Sequence, residues 1–580
     1  MVFRTYSSSL LIALAGAVQV ALAQNPADRH PAYEAVGGQA DASAAQATEL
    51  RILPSAENRL SAGSPYPFVN DAQAAPLRFT AWRGERICSQ LAVSTGGNAA
   101  QLSVICTPLR KGNCQITATA RMIRYTKAGR SITADVIGSE THCKHPAGLH
   151  RAVWFEADIP PGVEPGMYKG SVVVNAPGCK TAVQQVELLV DSAVLPAPSE
   201  WKIHLDLWQH PESVARWHDV EPWSAAHFEI MRPLMKRLAQ AGQKCITCTL
   251  IDEAWNGQTY DAFPGMVKWI RGRDGVMRYD YAALDAWVHF MHDEIGIREQ
   301  ISCYSMLPWH LKVLYFDEAT GREQYLAADP ATPAFAEVWA PFLRDFHRHM
   351  QAKGWAEKTC IAIDERPDRM VREAMRLVRE NAPSFRIASA VDKPSALTRE
   401  VYNISPVLTH AGSALGALLR ERKAAGKITT FYVCLHPGKP NTFTTSAPAE
   451  AEWLGFFAAA NQLDGFLRWA YNSWNRNPLE CTDFVHWPTG DCFLVYPGNR
   501  SSIRFERLRE GMEEFEKINL LRARAGESPA AAAVVDNMNA RLSALFTVER
   551  STGSSHAQDV AEGRRIVRET CMALETLQQK

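Results

Sequence analysis

The chain has 580 residues, too many for one compact core, so two or three domains are expected. It is 46% hydrophobic and 21% charged, the composition of an ordinary globular protein. Its 62 Lys and Arg balance 62 Asp and Glu, which gives no footing for nucleic acid or an anionic membrane surface.

Residues 1–23 read as a secretory signal. Arg4 supplies the positive region, Leu10 to Ala23 the apolar stretch, and Ala21-Leu22-Ala23 a small-x-small cleavage site before Gln24. No cysteine follows the cut, so no lipid anchor is expected there. No later run reaches the length of a membrane span, and a secreted or periplasmic protein is expected. Residues 24–75, rich in Ala, Gln, Asp, Ser and Gly, read as a leader with little packing of its own, although Leu50 to Leu53 can start a strand.

Residues 76–195 carry short β-rich runs between turn residues, among them Arg78 to Trp82, Ala100 to Cys106, Gln115 to Met122 and Val183 to Val190. With the Pro160-Pro161-Gly162 and Pro165-Gly166 turns, this spacing predicts a β-sandwich. The rhythm then changes to strand, loop, helix. Eight apolar runs follow: Ile203 to Trp208, Cys245 to Ile251, Gln300 to Met306, Cys360 to Asp364, Arg386 to Ala390, Val401 to Val407, Thr429 to Leu435 and Gly465 to Trp474. Between several of them lie helical patterns, such as the one capped by Ser224 and the one opened by Thr332-Pro333. Eight such units predict an α/β fold of the (β/α)8 barrel type over 200–500. An open doubly wound sheet is the alternative, but no Gly-rich phosphate loop follows a strand. Residues 501–525 read as an amphipathic helix with Phe505, Leu508, Met512, Phe515 and Leu521 on its apolar face. One or two further helices complete a C-terminal segment, 501–580.

Chemistry concentrates after the fourth run, where Asp364-Glu365-Arg366-Pro367 follows Cys360-Ile361-Ala362-Ile363. Strand C-termini carry the active site in barrels of this kind. Neighbouring residues there point in different directions, so two carboxyls can hold two jobs. Asp252-Glu253 ends the second run in the same way and offers a nucleophile for a double-displacement glycosidase. Asp317-Glu318 reads as a solvated loop. Three aromatic runs also fall at predicted strand ends: Trp208-Gln209-His210, Tyr304 to Trp309, and Arg468-Trp469-Ala470-Tyr471-Asn472-Ser473-Trp474. Together they predict a face that stacks a sugar and bonds its hydroxyls.

Thirteen cysteines in an exported chain leave room for disulfides, with at least one thiol left over. Cys245 and Cys248 form a C-x-x-C, but strand positions three apart face opposite sides, a poor chelate or redox pair. No histidine pair has metal-ligand spacing, so neither metal nor cofactor is expected.

The run Asp464 to Trp474, then Asn477-Pro478-Leu479, Gly490-Asp491, Tyr496-Pro497-Gly498 and Ser501 to Glu506, resembles the catalytic domain of glycoside hydrolase family 123. The Pro165-Gly166-Met167-Tyr168-Lys169-Gly170 turn is similar to the sandwich domain that precedes it in that family. The resemblance implies an exo-acting, retaining β-N-acetylgalactosaminidase, whose partner is a glycan with a terminal N-acetylhexosamine. In the implied mechanism the substrate's own 2-acetamido oxygen attacks the anomeric carbon. Asp364 would orient the acetamido group and Glu365 would protonate the leaving oxygen. Tyr432 or Tyr471 would donate to the acetamido carbonyl. Arg366 departs from the family's Asp-Glu-Pro and is expected to affect which sugar is preferred. Cys481 and Cys492 replace Asp-like and Thr-like residues, which suggests a disulfide. A non-catalytic glycan-binding barrel remains the alternative outside enzymes.

Overall fold

The computed structural model describes residues 50–61, 75–95, 100–145, 150–412 and 415–579. The expected signal sequence and most of the expected leader lie outside them.

The N-terminal part is built from two sheets. One is antiparallel, in the order Leu50–Pro54, Arg86–Thr95, His150–Asp158, Ala118–Ala128, Ser131–Ile137, Ser501–Ser502. The other runs Leu77–Arg83, Ala182–Val194, Gly166–Asn175, Ala100–Cys106, His142–His145. Strand alternation divides the first sheet's side chains. Leu91, Val93, Val153 and Phe155 join Val172, Leu188 and Val190 of the second sheet in one core, whereas Ala92, Ala152 and Trp154 turn the other way onto Leu60 and Ile503. Residues 50–61 thus belong to the fold: Leu50, Ile52 and Leu60 are buried, and the strand start expected at Leu50 to Leu53 becomes the edge strand Leu50–Pro54.

From 204 onward seven of the eight expected apolar runs contain strands, the run Thr429 to Leu435 shares only Thr429 with the two-residue strand Ile428–Thr429, and every pairing among the eight strands is parallel. Six form one sheet: Cys245–Thr249, Gln300–Tyr304, Thr359–Ile363, Arg386–Val391, Asn403–Pro406 and Ile428–Thr429. The other two, His204–Leu207 and Gly465–Arg468, pair with each other. Single bridges, Leu205 to Gln243 and Tyr432 to Leu467, connect the pair to both ends of the six. Helices such as Ala225–Ala239, capped by Ser224 Oγ accepting from His227 N at 3.2 Å, and Pro333–Ala352 pack their apolar residues into the same core as these strands.

Two features differ from expectation. Loops after the second and third parallel strands carry a four-stranded sheet of Lys268–Arg271, Met277–Asp280, Lys312–Asp317 and Arg322–Ala327. Asp317 is therefore no solvated loop acid. It is buried, accepts from Ala319 N at 2.8 Å and Gln324 Nε2 at 3.1 Å, and shapes a hairpin turn. The helix Ile503–Ala523 is not amphipathic in its burial: every residue from Ile503 to Ile518 is buried, charged ones included. It lies among the N-terminal sheet, the helix Pro448–Ala460 and the C-terminal helix His556–Gln578.

Cys481, Cys492, Cys245 and Cys248 are free thiols. Cys481 is fixed by a backbone bridge to Lys127 of the N-terminal sheet, while Cys492 is buried beside Asp491, so the suggested Cys481–Cys492 disulfide does not form. Cys245 and Cys248 lie on a buried strand.

Candidate active site

The strand Thr359–Ile363 is apolar and buried throughout because it has a parallel neighbour on each side. Register pairs Tyr304 with Ala362, which sets the end of the third strand beside Asp364. Pro367 stops the strand and precedes the helix Asp368–Asn381. The acidic pair therefore projects from a rigid stem between two strands.

Asp364 is half-buried and accepts from Trp309 Nε1 at 3.4 Å. Loss of water raises its pKa; the Glu365 backbone amide, Trp309 and the nearby Arg366 charge pull it back. Glu365 opens onto solvent on one side, and Tyr432 donates its hydroxyl to Oε1. Crowding of the carboxyl, then the charge of Asp364, pushes its pKa up to about 7, against the pull of Tyr432. Tyr432 is locked by bridges to Val407 and Leu467. The guanidinium of Arg366 lies 4.6 Å over the Trp309 ring.

Aromatic rings form the wall beside the pair. Trp208 and Tyr304 stand 4.6 Å apart, and Trp255 lies 5.6 and 5.3 Å from them. His210 lies within 4.9 Å of Phe263 and 6.1 Å of Trp469, which in turn meets Trp487 at 5.4 Å. His210 Nε2 faces the Trp469 carbonyl at 3.1 Å, and burial lowers its pKa to about 4, so the ring is neutral. Its backbone is clasped by Asn472, which accepts from His210 N at 3.0 Å and donates to His210 O at 2.9 Å.

Trp309 and Tyr432 bond the acidic pair, Arg366 stacks on Trp309 and Tyr304 stands beside Asp364, whereas Trp208, His210 and Trp469 join them only through ring contacts, with Trp208, His210 and Tyr304 buried. Four expected contact residues take no direct part. Tyr471 is fully buried and donates to the Leu234 carbonyl at 3.0 Å, which removes it as an acetamido donor. Trp474 is buried and donates to the Val495 carbonyl at 2.7 Å. Arg468 forms a fully buried pair with Asp491 at 2.8 Å, behind Trp469, whose Nε1 bonds the other Asp491 oxygen at 2.7 Å. Asn472 likewise acts on the backbone of His210. Along 468–474 the strand ends at Arg468, and the side chains beyond it no longer share a face.

The rival acids are engaged elsewhere. Glu253, in a left-handed backbone conformation, accepts from Gly257 N at 2.9 Å and Phe263 N at 3.3 Å, closing its own loop. Asp252 is raised to about 6 by burial, then by Glu253 and Glu323, against the pull of the Gly265 backbone amide. Trp255, Phe263, Trp487 and Asp491 were not anticipated. Trp255 follows Asp252-Glu253 at a strand end and had the same signal as Trp309; Asp491 stood in the family motif Gly490-Asp491, but its pairing with Arg468 was not legible because the two lie in different segments. Among the described residues no group of His, Cys, Asp or Glu is arranged to hold a metal ion.

Comparison with known proteins adds a family. The sequence model of the glycoside hydrolase 123 catalytic domain matches residues 208–521, and that of the glycoside hydrolase 123 N-terminal domain matches 64–176. Among solved structures, a family 123 glycoside hydrolase from Clostridium perfringens, described for glycolipid glycan hydrolysis, superposes with a TM-score of 0.80. It is 24% identical, over 87% of this chain and 95% of that one. A Bacteroides ovatus GH5 xyloglucanase aligns over 75% of this chain and 98% of its own at 11% identity, with a TM-score of 0.30, too slight to bear on the fold. No curated protein sequence matches the chain.

Proposed function

Because the chain belongs to glycoside hydrolase family 123 and is a glycoside hydrolase, we propose that it releases a terminal β-linked N-acetylgalactosamine by substrate-assisted catalysis. One observation carries this reading. Consecutive carboxyls at one strand end are given different surroundings, Asp364 bonded to Trp309 and Glu365 held near neutrality beside Tyr432. Two carboxyls on adjacent residues are poorly placed to flank a sugar from opposite sides, as a double displacement requires. They suit a reaction in which the substrate supplies its own nucleophile.

In the proposed reaction the acetamido oxygen bonds to the anomeric carbon as the glycosidic C–O bond breaks. Glu365 gives its proton to the leaving oxygen. Asp364, as carboxylate, accepts the acetamido N–H and balances the oxazolinium cation. Water then attacks the same carbon, Glu365 takes its proton, and the oxazolinium ring opens with retained configuration. We take the eight parallel strands with their two single bridges as a closed (β/α)8 barrel that presents this pair at its C-terminal face. Export by the 1–23 signal sequence would bring the enzyme to extracellular glycans, glycolipid glycans among them, as described for the Clostridium relative.

The test compares nitrophenyl β-glycosides of N-acetylgalactosamine, N-acetylglucosamine and galactose, with and without a thiazoline inhibitor. Cleavage confined to the 2-acetamido sugars and blocked by the thiazoline is expected. Comparable turnover of the plain galactoside would overturn the mechanism.

A further inference from the structure

Arg366 stands out among the arginines removed from water. Arg468, Arg504 and Arg507 each meet a carboxylate, at 2.8, 2.9 and 2.7 Å. Arg422 is bonded by Thr429 and by the carbonyls of Thr398, Val401, Tyr402 and Ile428. Arg366 has no oxygen partner among the described residues. Its Nε is buried without a hydrogen bond, and Nη2 reaches only the Met370 sulfur at 3.6 Å, a weak acceptor. Its plane is nevertheless fixed, because it rests on Trp309, the ring that also bonds Asp364. Nε alone is buried without a partner, while the rest of the guanidinium is half-exposed, held flat on Trp309 and bonded to no oxygen of the described residues, so its donors are open to a ligand. A planar fork of donors fits the two oxygens of a carboxylate or sulfate better than single hydroxyls.

Resting on the glycosidase reading above, we propose that the preferred glycan carries an oxyanion next to the scissile bond, and that Arg366 binds it. The anion is either a sulfate ester on the departing N-acetylhexosamine or the carboxylate of a uronic acid in the aglycone. Asp364 does not repel it decisively, since the Arg366 charge balances Asp364 and Glu365 is neutral while it waits to donate.

Full-length enzyme is assayed on three substrates: nitrophenyl β-N-acetylgalactosaminide, its 6-sulfate, and N-acetylgalactosamine β-linked to glucuronic acid. One anionic substrate should exceed the neutral one by about tenfold or more in kcat/KM, the gain expected of a charge-assisted bond, and added salt should erode the preference. In Arg366→Gln, and nearly as fully in Arg366→Lys, the anionic-to-neutral ratio should fall to about one, whatever the absolute rates. Which anionic substrate leads identifies the source. A neutral substrate equal to both anionic ones, or a ratio unchanged by the substitutions, overturns the proposal. If no substrate is cleaved, the functional reading fails, and calorimetric binding decides separately. Glucuronate or N-acetylgalactosamine 6-sulfate binding to Glu365→Gln, and lost in Glu365→Gln/Arg366→Gln, supports the role of Arg366. Equal or absent binding defeats it.

Discussion

At the scale of single residues, the site works by giving two like groups unlike surroundings. Glu365→Gln removes the proton donor and should cut kcat/KM on a nitrophenyl N-acetylgalactosaminide by roughly 10²–10⁴-fold while leaving the thermal unfolding midpoint near that of the parent. The pH profile should fall on both sides. Glu365 must keep its proton, so activity drops as pH rises through about 7; Asp364 must lose its own, so activity drops again at acid pH. Tyr432 donates to Glu365 and so favours its ionised form. Tyr432→Phe should therefore shift the alkaline limb to higher pH, and a limb that stays or moves down would show that the contact is absent in solution. The acidic pair was legible in sequence because its adjacency is local and a strand plainly precedes it. Tyr471 and Trp474 were misread for the opposite reason: they share a short run with Trp469, but the strand stops at Arg468 and the chain beyond it turns them into the interior.

At the scale of elements, the eight parallel strands could be read from sequence because each is buried on both faces and so appears as a short unbroken apolar run. The inserted antiparallel strands, such as Arg322–Ala327, are short and largely exposed and carry neither an apolar run nor a clean alternation, so nothing in the sequence marked them as strands. The helix Ile503–Ala523 was misjudged in a more instructive way. Charged residues at helical spacing ordinarily mark a solvated face, but here their partners arrive from segments far away in the chain. Glycine makes the approach possible. An added Cβ on Gly511 would stand 2.6 Å from the Glu452 carbonyl oxygen, and one on Gly455 2.0 Å from that of Gly511. The helices Pro448–Ala460 and Ile503–Ala523 thus touch backbone to backbone. Gly511→Ala should force them apart at a cost of about 1–3 kcal/mol. The check is a lowered unfolding midpoint, set against Gly526→Ala, where open space surrounds the added carbon.

For the whole molecule, buried ion pairs link its parts alongside the apolar contacts. Glu452, inaccessible to water, holds Arg507 at 2.7 Å and Arg564 at 2.5 Å; Arg507 also reaches Glu57 at 3.0 Å. Lys517 spans Glu514 and Glu85 of the N-terminal part, and Arg86 approaches Glu506 at 3.6 Å. Breaking such a network from one side strands buried charge, so Glu452→Ala should destabilise the protein by about 3–5 kcal/mol, measured by denaturant unfolding. A loss near zero would mean that water enters the network freely. None of this was visible in the sequence, which gave the two sheet-rich and α/β regions but not what joins them. The join also has a bearing on how the protein comes into being. Ser501–Ser502 supplies an edge to a sheet whose other strands all lie before residue 159, and the buried carboxylate of Asp135 in that sheet accepts hydrogen bonds from Tyr496 and Arg504 as well as Arg59. A nascent chain makes its first domain early but cannot finish it until residues near 500 have emerged. Folding is therefore obliged to run against the order of synthesis, and a truncated product would carry an open sheet edge and an acid deprived of two of its three partners.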